Sequence, residues 1–251
     1  MLFAMDHIVQ YILYLAIGLF SGFMSGMLGI GGGSLRVPLL NLAGLPLISA
    51  FGVNLFVIPF SSAVGAFTHR KNIQKGIALY LIIGGMAGSV GGAYLAGYFS
   101  KFALAIIFVA ISVLTVAGIY LYKLAPSVSS RLKPNFWNVS LGAAILNLIT
   151  GMRGGSGGSL FPPFIKALGL DIHKAIATSL LVTIFTAGSG LIVYLGRGDI
   201  SVIPAIAVAL GSIVGARLGG KLSLRTKSSW LEISLSVLVI MFSLVVVYKA
   251  L

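Results

Sequence analysis

Gly29-Ile-Gly-Gly-Gly-Ser-Leu-Arg-Val-Pro38 returns later in the chain as Gly154-Gly-Ser-Gly-Gly-Ser-Leu-Phe-Pro-Pro163, in register and at a constant offset. The register extends in both directions. Upstream, Gly26-Met27 matches Gly151-Met152. Downstream, Gly44, Ala50, Leu55, Val57, Phe60 and Gly65 match Gly169, Ala175, Leu180, Val182, Phe185 and Gly190. After a two-residue adjustment, Gly84-x-x-x-Gly88 meets Gly211-x-x-x-Gly215. Single identities among Gly and Leu mean little in apolar sequence, but an ordered series over most of each half marks a duplication. The halves are residues 1–124 and 135–251, joined by a polar linker, 125–134.

Both copies of the motif lie in strongly apolar surroundings. Of 251 residues 58% are hydrophobic and 8% charged, where a soluble domain carries charge at about a quarter of its positions. A bilayer core takes roughly 20 mostly apolar residues per helix. Spans are expected at Ile8–Leu28, Ala50–Thr68, Ile77–Gly97, Phe102–Tyr122, Phe136–Met152, Ala175–Leu195, Val202–Leu218 and Ile233–Tyr248. The first lacks a basic leader and a clear cleavage site, and reads as a retained helix. The fold class is therefore all-α: a multi-pass helical bundle in the cell membrane, with the bilayer as its first partner.

The net charge of +13 does not indicate nucleic acid. The basic residues flank the apolar runs, where they set topology and meet anionic lipid heads. There is no cysteine, and His7, His69 and His173 are scattered without metal-ligand spacing, which argues against thiol, metal and electron-carrier chemistry. No enzyme activity and no cofactor are expected.

Loop charge orients the two copies. The loop His69-Arg70-Lys71-Asn72-Ile73-Gln74-Lys75 is strongly basic, whereas its counterpart Gly196-Arg197-Gly198-Asp199 is neutral. The next pair reverses: Ser100-Lys101 is weakly charged, and Arg217, Lys221, Arg225 and Lys227 form a basic cluster. Lys and Arg favour the cytoplasmic side, so equivalent loops of opposite bias lie on opposite sides and the copies are inverted. Each half then consists of a glycine-broken, re-entrant-like helix pair plus three spanning helices. The linker falls inside and both termini outside.

Glycine runs do not hold a helix, and lipid cannot satisfy a free backbone. Broken backbone at membrane depth is therefore buried in protein or lines a cavity. Matching breaks in two inverted halves point to a transporter's binding site, where half-helix N-termini present free N–H groups to an anion. The alternative is close helix packing, which is the reading adopted for Gly84/Gly88 and Gly211/Gly215. Candidate ligands are Gly31, Gly32, Gly33, Ser34, Gly157, Gly158 and Ser159 at the breaks. Arg36 and Arg153, which flank them, have no carboxylate nearby in sequence and suit an anion clamp, or else snorkel or bond loop carbonyls. Asn54, Thr178 and Ser179 are small polar groups, Asn54 and Ser179 being aligned by the repeat.

The stretch Gly22–Leu40, its second copy and Ala175-Ile-Ala-Thr-Ser-Leu180 resemble the signature motifs of the TauE/SafE sulfite exporter family, over almost the whole chain. The resemblance implies a permease for sulfite, an organosulfonate or a similar small sulfur-containing anion. Export by alternating access is the expected mechanism; an anion channel and an uptake permease for another oxyanion or carboxylate are the alternatives. Two departures fall in the expected site: Arg153 before a Gly-Gly-Ser-Gly-Gly run, and Gly52-Val-Asn54 where the family often shows Gly-Thr-Ser.

Overall fold

A computed structural model describes residues 2–119, 134–227 and isolated positions between 229 and 244. Most of the linker and of the last expected span, Ile233–Tyr248, lies outside the described residues. The rest is helical. In the first half come α1 (Leu2–Leu28), α2 (Gly33–Leu42), α3 (Leu47–Thr68), α4 (Lys75–Ala96) and α5 (Lys101–Ile119). The second half supplies α6 (Phe136–Gly151), α7 (Phe161–Ala167), α8 (Ile172–Gly196) and α9 (Val202–Ser223).

The boundaries follow from the sequence. Asn135 caps α6 by accepting from the Asn138 N–H, and Asp171 caps α8 through the N–H groups of His173 and Lys174, satisfying donors that a helix start leaves free. Two prolines in the first turn of α7 fit where no N–H is needed. Glycines matched in the sequence share a backbone conformation: Gly29 and Gly154, Gly32 and Gly157, and Gly44 and Gly169 all adopt positive φ. A side chain is strained in that region, which is why glycine stands at each member of each pair.

Five described helices are long and apolar enough to cross a membrane: Ile8–Leu28 within α1, and α3, α4, α8 and α9. Expected span Phe136–Met152 is shorter than anticipated. α6 has 16 residues, about 24 Å of helix, and ends short of a full hydrocarbon core. α2 and α7, with 10 and 7 residues, are half-helices or less. The breaks that precede them sit inside the bundle, and every residue from Arg153 to Pro163 is buried. Ile8, Ile12, Ile192, Ile203 and Leu210 project outward with half or more of their surface exposed, as lipid-facing side chains do.

Bilayer tails are as apolar as leucine, so helix association here depends on close packing rather than hydrophobic burial. Three glycine ladders provide it. Gly18, Gly22 and Gly26 of α1 lie on the backbone of Val208, Ser212 and Ala216 of α9. Gly211, Gly215 and Gly219 answer from α9, against Leu15, Leu19 and Phe23. Gly84, Gly88 and Gly92 of α4 do the same against Ser140, Ala144 and Leu148 of α6. A Cβ at any of these nine glycines would collide with backbone. Each ladder joins one half of the chain to the other.

The ladders also fix direction. Rising residue numbers in α1 meet rising numbers in α9, so the two run the same way. α3 shares that sense, because Gly52 meets Asp199 and Ile200 while Gly220 meets Thr68. α4 and α6 are like-directed by their ladder. α8 runs with α4: Gln74 N–H donates to Thr178, Ser189 to the Met86 carbonyl and Arg197 to the Ala93 carbonyl. Residues 69–74 between α3 and α4 reach at most about 20 Å, too short to cross a bilayer core, so α4 opposes α3. The bundle therefore contains one set, α1, α3 and α9, and an opposed set, α4, α6 and α8.

Candidate functional site

The two breaks face each other across the middle of the bundle, and α3 and α8 hold them there. Asn54 of α3 donates its amide to the Gly154 carbonyl in the second break, 2.7 Å away. Ser179 of α8 donates to the Gly29 carbonyl in the first break at 2.9 Å and lies 3.5 Å from the Gly158 carbonyl. These are repeat-equivalent residues holding repeat-equivalent carbonyls in the opposite half. Left-handed glycines turn those carbonyls out of their helices, so each needs a donor brought from elsewhere.

The two arginines have different surroundings. Arg36 is fully buried on α2. Its Nε donates to Ser21 at 3.1 Å, Nη1 to the Asn54 Oδ1 at 2.6 Å and the Gly31 carbonyl at 3.4 Å, and Nη2 to Ser212 at 3.2 Å. Four acceptors from α1, the first break, α3 and α9 engage a group with five N–H donors. Its described hydrogen bonds therefore all go to the protein's own groups, the loop carbonyl of Gly31 among them.

Arg153 is not saturated. It is 4% exposed, and its Nη2 donates to Ser159 in its own break and to Ser34 in the other, the latter at 3.3 Å. The Phe108 ring of α5 lies 5.2 Å from the guanidinium carbon, a cation–π distance. Nη1 is buried and has no hydrogen-bond partner. Orphaned buried donors on a charged group are expensive.

Beside Arg153 is a small cavity of about 10 Å³, room for about one water. The first half contributes Gly33, Ser34 and Asn54 with the side chains of Ile30 and Ile58, and the second contributes Gly155, Ser156, Gly158 and Ser159. The N–H groups of Gly33, Ser34, Gly158 and Ser159 have no backbone acceptor among the described residues. Ser156 Oγ is also buried without a partner. The lining thus supplies a fixed positive charge, unused N–H donors and hydroxyls, and no carboxylate. Such a set favours a small ligand rich in acceptor oxygens. Among the described residues, no three His, Cys, Asp or Glu side chains gather to hold a metal ion.

Gly33, Ser34, Asn54, Arg153, Gly158 and Ser159 line this cavity directly. Gly31, Gly32, Gly157, Arg36 and Ser179 surround it and fix its shape. Thr178 lies apart, its Oγ1 accepting from the Gln74 N–H at the start of α4. Besides Ile30, Ile58 and Gly155 of the lining, four contributors escape sequence reading. Ser21 and Ser212 become partners of Arg36 only through folding, and Phe108 sits in a featureless apolar run. Ser156 could have been found, since it occupies the centre of the second glycine run.

The model of the family described as sulfite exporter TauE/SafE matches residues 14–246. The chain belongs to this family. The chain is similar to the probable membrane transporter protein YdhB of Bacillus subtilis, 29% identical over 80% of this chain and 85% of its own. Another is the probable membrane transporter protein YunE of the same species, 23% identical over 96% and 98%. A probable membrane transporter protein of Methanocaldococcus jannaschii is 26% identical over 89% and 90%. No solved structure matches the chain significantly. As a TauE/SafE protein it is a multi-pass membrane transporter and not an enzyme.

Proposed function

We propose that the protein carries a small sulfur oxyanion or sulfonate, of the sulfite class, by alternating access between two inverted copies of one helical unit. The observation that carries the substrate class is the partnerless Arg153 Nη1 beside four unused N–H groups, at a cavity both copies build. A tri-oxygen anion supplies the acceptors these donors lack. The inverted arrangement is supported by helix direction: α1 and its repeat-equivalent α6 belong to the opposed sets defined by the ladders. Re-entrance of the broken pairs has parallel support, since α1 and α3 share a direction although α2 alone lies between them.

The small size of the cavity favours a carrier over a channel. It admits one water and not a sulfite ion, so the halves must part before substrate enters, consistent with an occluded state between two openings. Direction follows from energetics. Both carboxylates described with their side chains lie at helix ends and are ion-paired, Asp171 with Lys174 and Asp199 with Arg197. Neither is placed to relay protons across the bundle, whereas an anion leaving a negative interior gains about 2.3 kcal/mol per charge per 100 mV. Potential-driven export needs no coupled ion. The test is radiolabelled sulfite in proteoliposomes, first under an imposed potential without a pH gradient, then under a pH gradient with the potential clamped. Saturable, potential-driven movement is expected. Flux without saturation would make the protein a channel, and uphill movement driven by pH alone would make it proton-coupled.

A further inference from the structure

At the ends of α3 and α9 a groove of about 670 Å³ shares no lining residue with the Arg153 cavity. Its rim is basic: Arg70 and Lys71 follow α3, and Arg217 and Lys221 belong to the last turns of α9. Its floor is apolar, formed by Val64 and Phe67 of α3 and by Leu224, and Phe67 is 68% exposed. Arg217 and Lys221 are four residues apart on one helix face, a like-charge spacing that destabilises a helix on its own. No described carboxylate relieves it, because Asp171 and Asp199 are paired elsewhere. The Arg70 guanidinium lies over the Phe67 ring at 4.6 Å, which holds one cation at the boundary between rim and floor.

Helix C-termini favour single cations, which accounts for a charge at each helix end. It does not account for four cations ringing an exposed apolar trough between two helices. A soluble anion would use the rim and leave Phe67 and Leu224 in water. An amphiphile uses both: its phosphate bridges the cations while an acyl chain follows the floor. Basic pockets between membrane helices at the hydrocarbon boundary bind lipid head groups in this way.

We propose that the groove is a binding site for an anionic phospholipid, the phosphate held by Arg70, Lys71, Arg217 and Lys221 and one chain lying along Val64, Phe67 and Leu224. The bound lipid would tie the end of α3 to the end of α9, which come from different halves of the chain.

The test uses the full-length protein in phosphatidylcholine nanodiscs, titrated with phosphatidylglycerol and read as lipid retained in native mass spectrometry and as thermal midpoint. Phosphatidylglycerol should be retained and should raise the midpoint, with inorganic phosphate and glycerol phosphate ineffective. Arg217→Gln with Lys221→Gln should weaken retention roughly thirtyfold, at the usual gain per surface cation. Arg225→Gln with Lys227→Gln, equal in charge lost but off the groove, should leave it intact. Equal loss in both pairs would reduce the effect to diffuse surface charge. Equal stabilisation by inorganic phosphate would make it a soluble-anion site, and no preference over phosphatidylcholine would remove the site altogether. That last comparison needs no variant, so a misfolded mutant leaves the proposal open to refutation.

Discussion

Asn54 and Ser179 occupy the same place in the two copies, and each donates a hydrogen bond to the glycine break of the other, at Gly154 and Gly29. They are not equal in load. Ser179 holds carbonyls only. Asn54 also accepts from Arg36 at 2.6 Å, so it couples a buried charge in one half to the backbone of the other.

That inequality predicts different costs. Ser179→Ala loses a neutral hydrogen bond, about 0.5–1.5 kcal/mol, and Asn54→Ala loses that plus a charge-assisted one of about 1.5–3 kcal/mol. Thermal unfolding in detergent should show the Asn54→Ala midpoint well below that of Ser179→Ala. Equal midpoints would mean that Arg36 draws nothing from Asn54.

The two arginines should separate cleanly on mutation. Arg153→Gln removes the donor that faces the cavity and leaves a side chain still able to reach Ser159, so the protein should fold. Its sulfite affinity should drop roughly ten- to a hundredfold, the value of one charge-assisted hydrogen bond. Arg36→Gln takes the shared donor away from Ser21, Asn54 and Ser212 together and should appear first as lost folded protein on size exclusion. A well-folded Arg153→Gln protein with unchanged affinity would return Arg153 to a structural role.

Glycine substitutions should divide by contact rather than by helix. Gly88→Val and Gly215→Val drive a side chain into the backbone at Ala144 and Leu19 and should abolish the monodisperse species. Gly188→Ala on α8 meets nothing within 4 Å and should be neutral or add up to about 1 kcal/mol from helix propensity. A damaging Gly188→Ala would show that an unseen neighbour packs there.

The proposed inverted topology makes a labelling prediction in a chain with no native cysteine. Single cysteines at Ser129, in the linker outside the described residues, and at Gly198, between α8 and α9, should react from opposite faces in intact cells. Reaction of both from one face would end the inverted reading.

How much of this was legible in the sequence depended on whether a residue's reason was local. Gly29, Gly32 and Gly44, with their equivalents, could be read because positive φ is a requirement of one position, and glycine answers it wherever the chain folds. The ladder glycines Gly84, Gly88, Gly211 and Gly215 could be read because their spacing of four is itself local. The task of Arg36 could not. Its acceptors at Ser21, Asn54 and Ser212 are up to 176 positions away, and nothing near it announces that they converge. Thr178 misled for the opposite reason: it adjoins Ser179 in sequence, but on a helix successive side chains point about 100° apart, so one reaches the breaks and the other the start of α4.

The ladder between α1 and α9 has a consequence for biogenesis. α1 leaves the ribosome before α9, with α2 to α8 and the linker made between them. Until α9 arrives, the Gly18–Gly22–Gly26 face has only lipid against it, and lipid cannot follow a glycine groove as closely as a helix backbone does. α1 is thus inserted before the helix that completes its packing, and a chain stopped after the first half lacks that partner. Co-expressed halves should rescue each other, while either half alone should be cleared by membrane quality control.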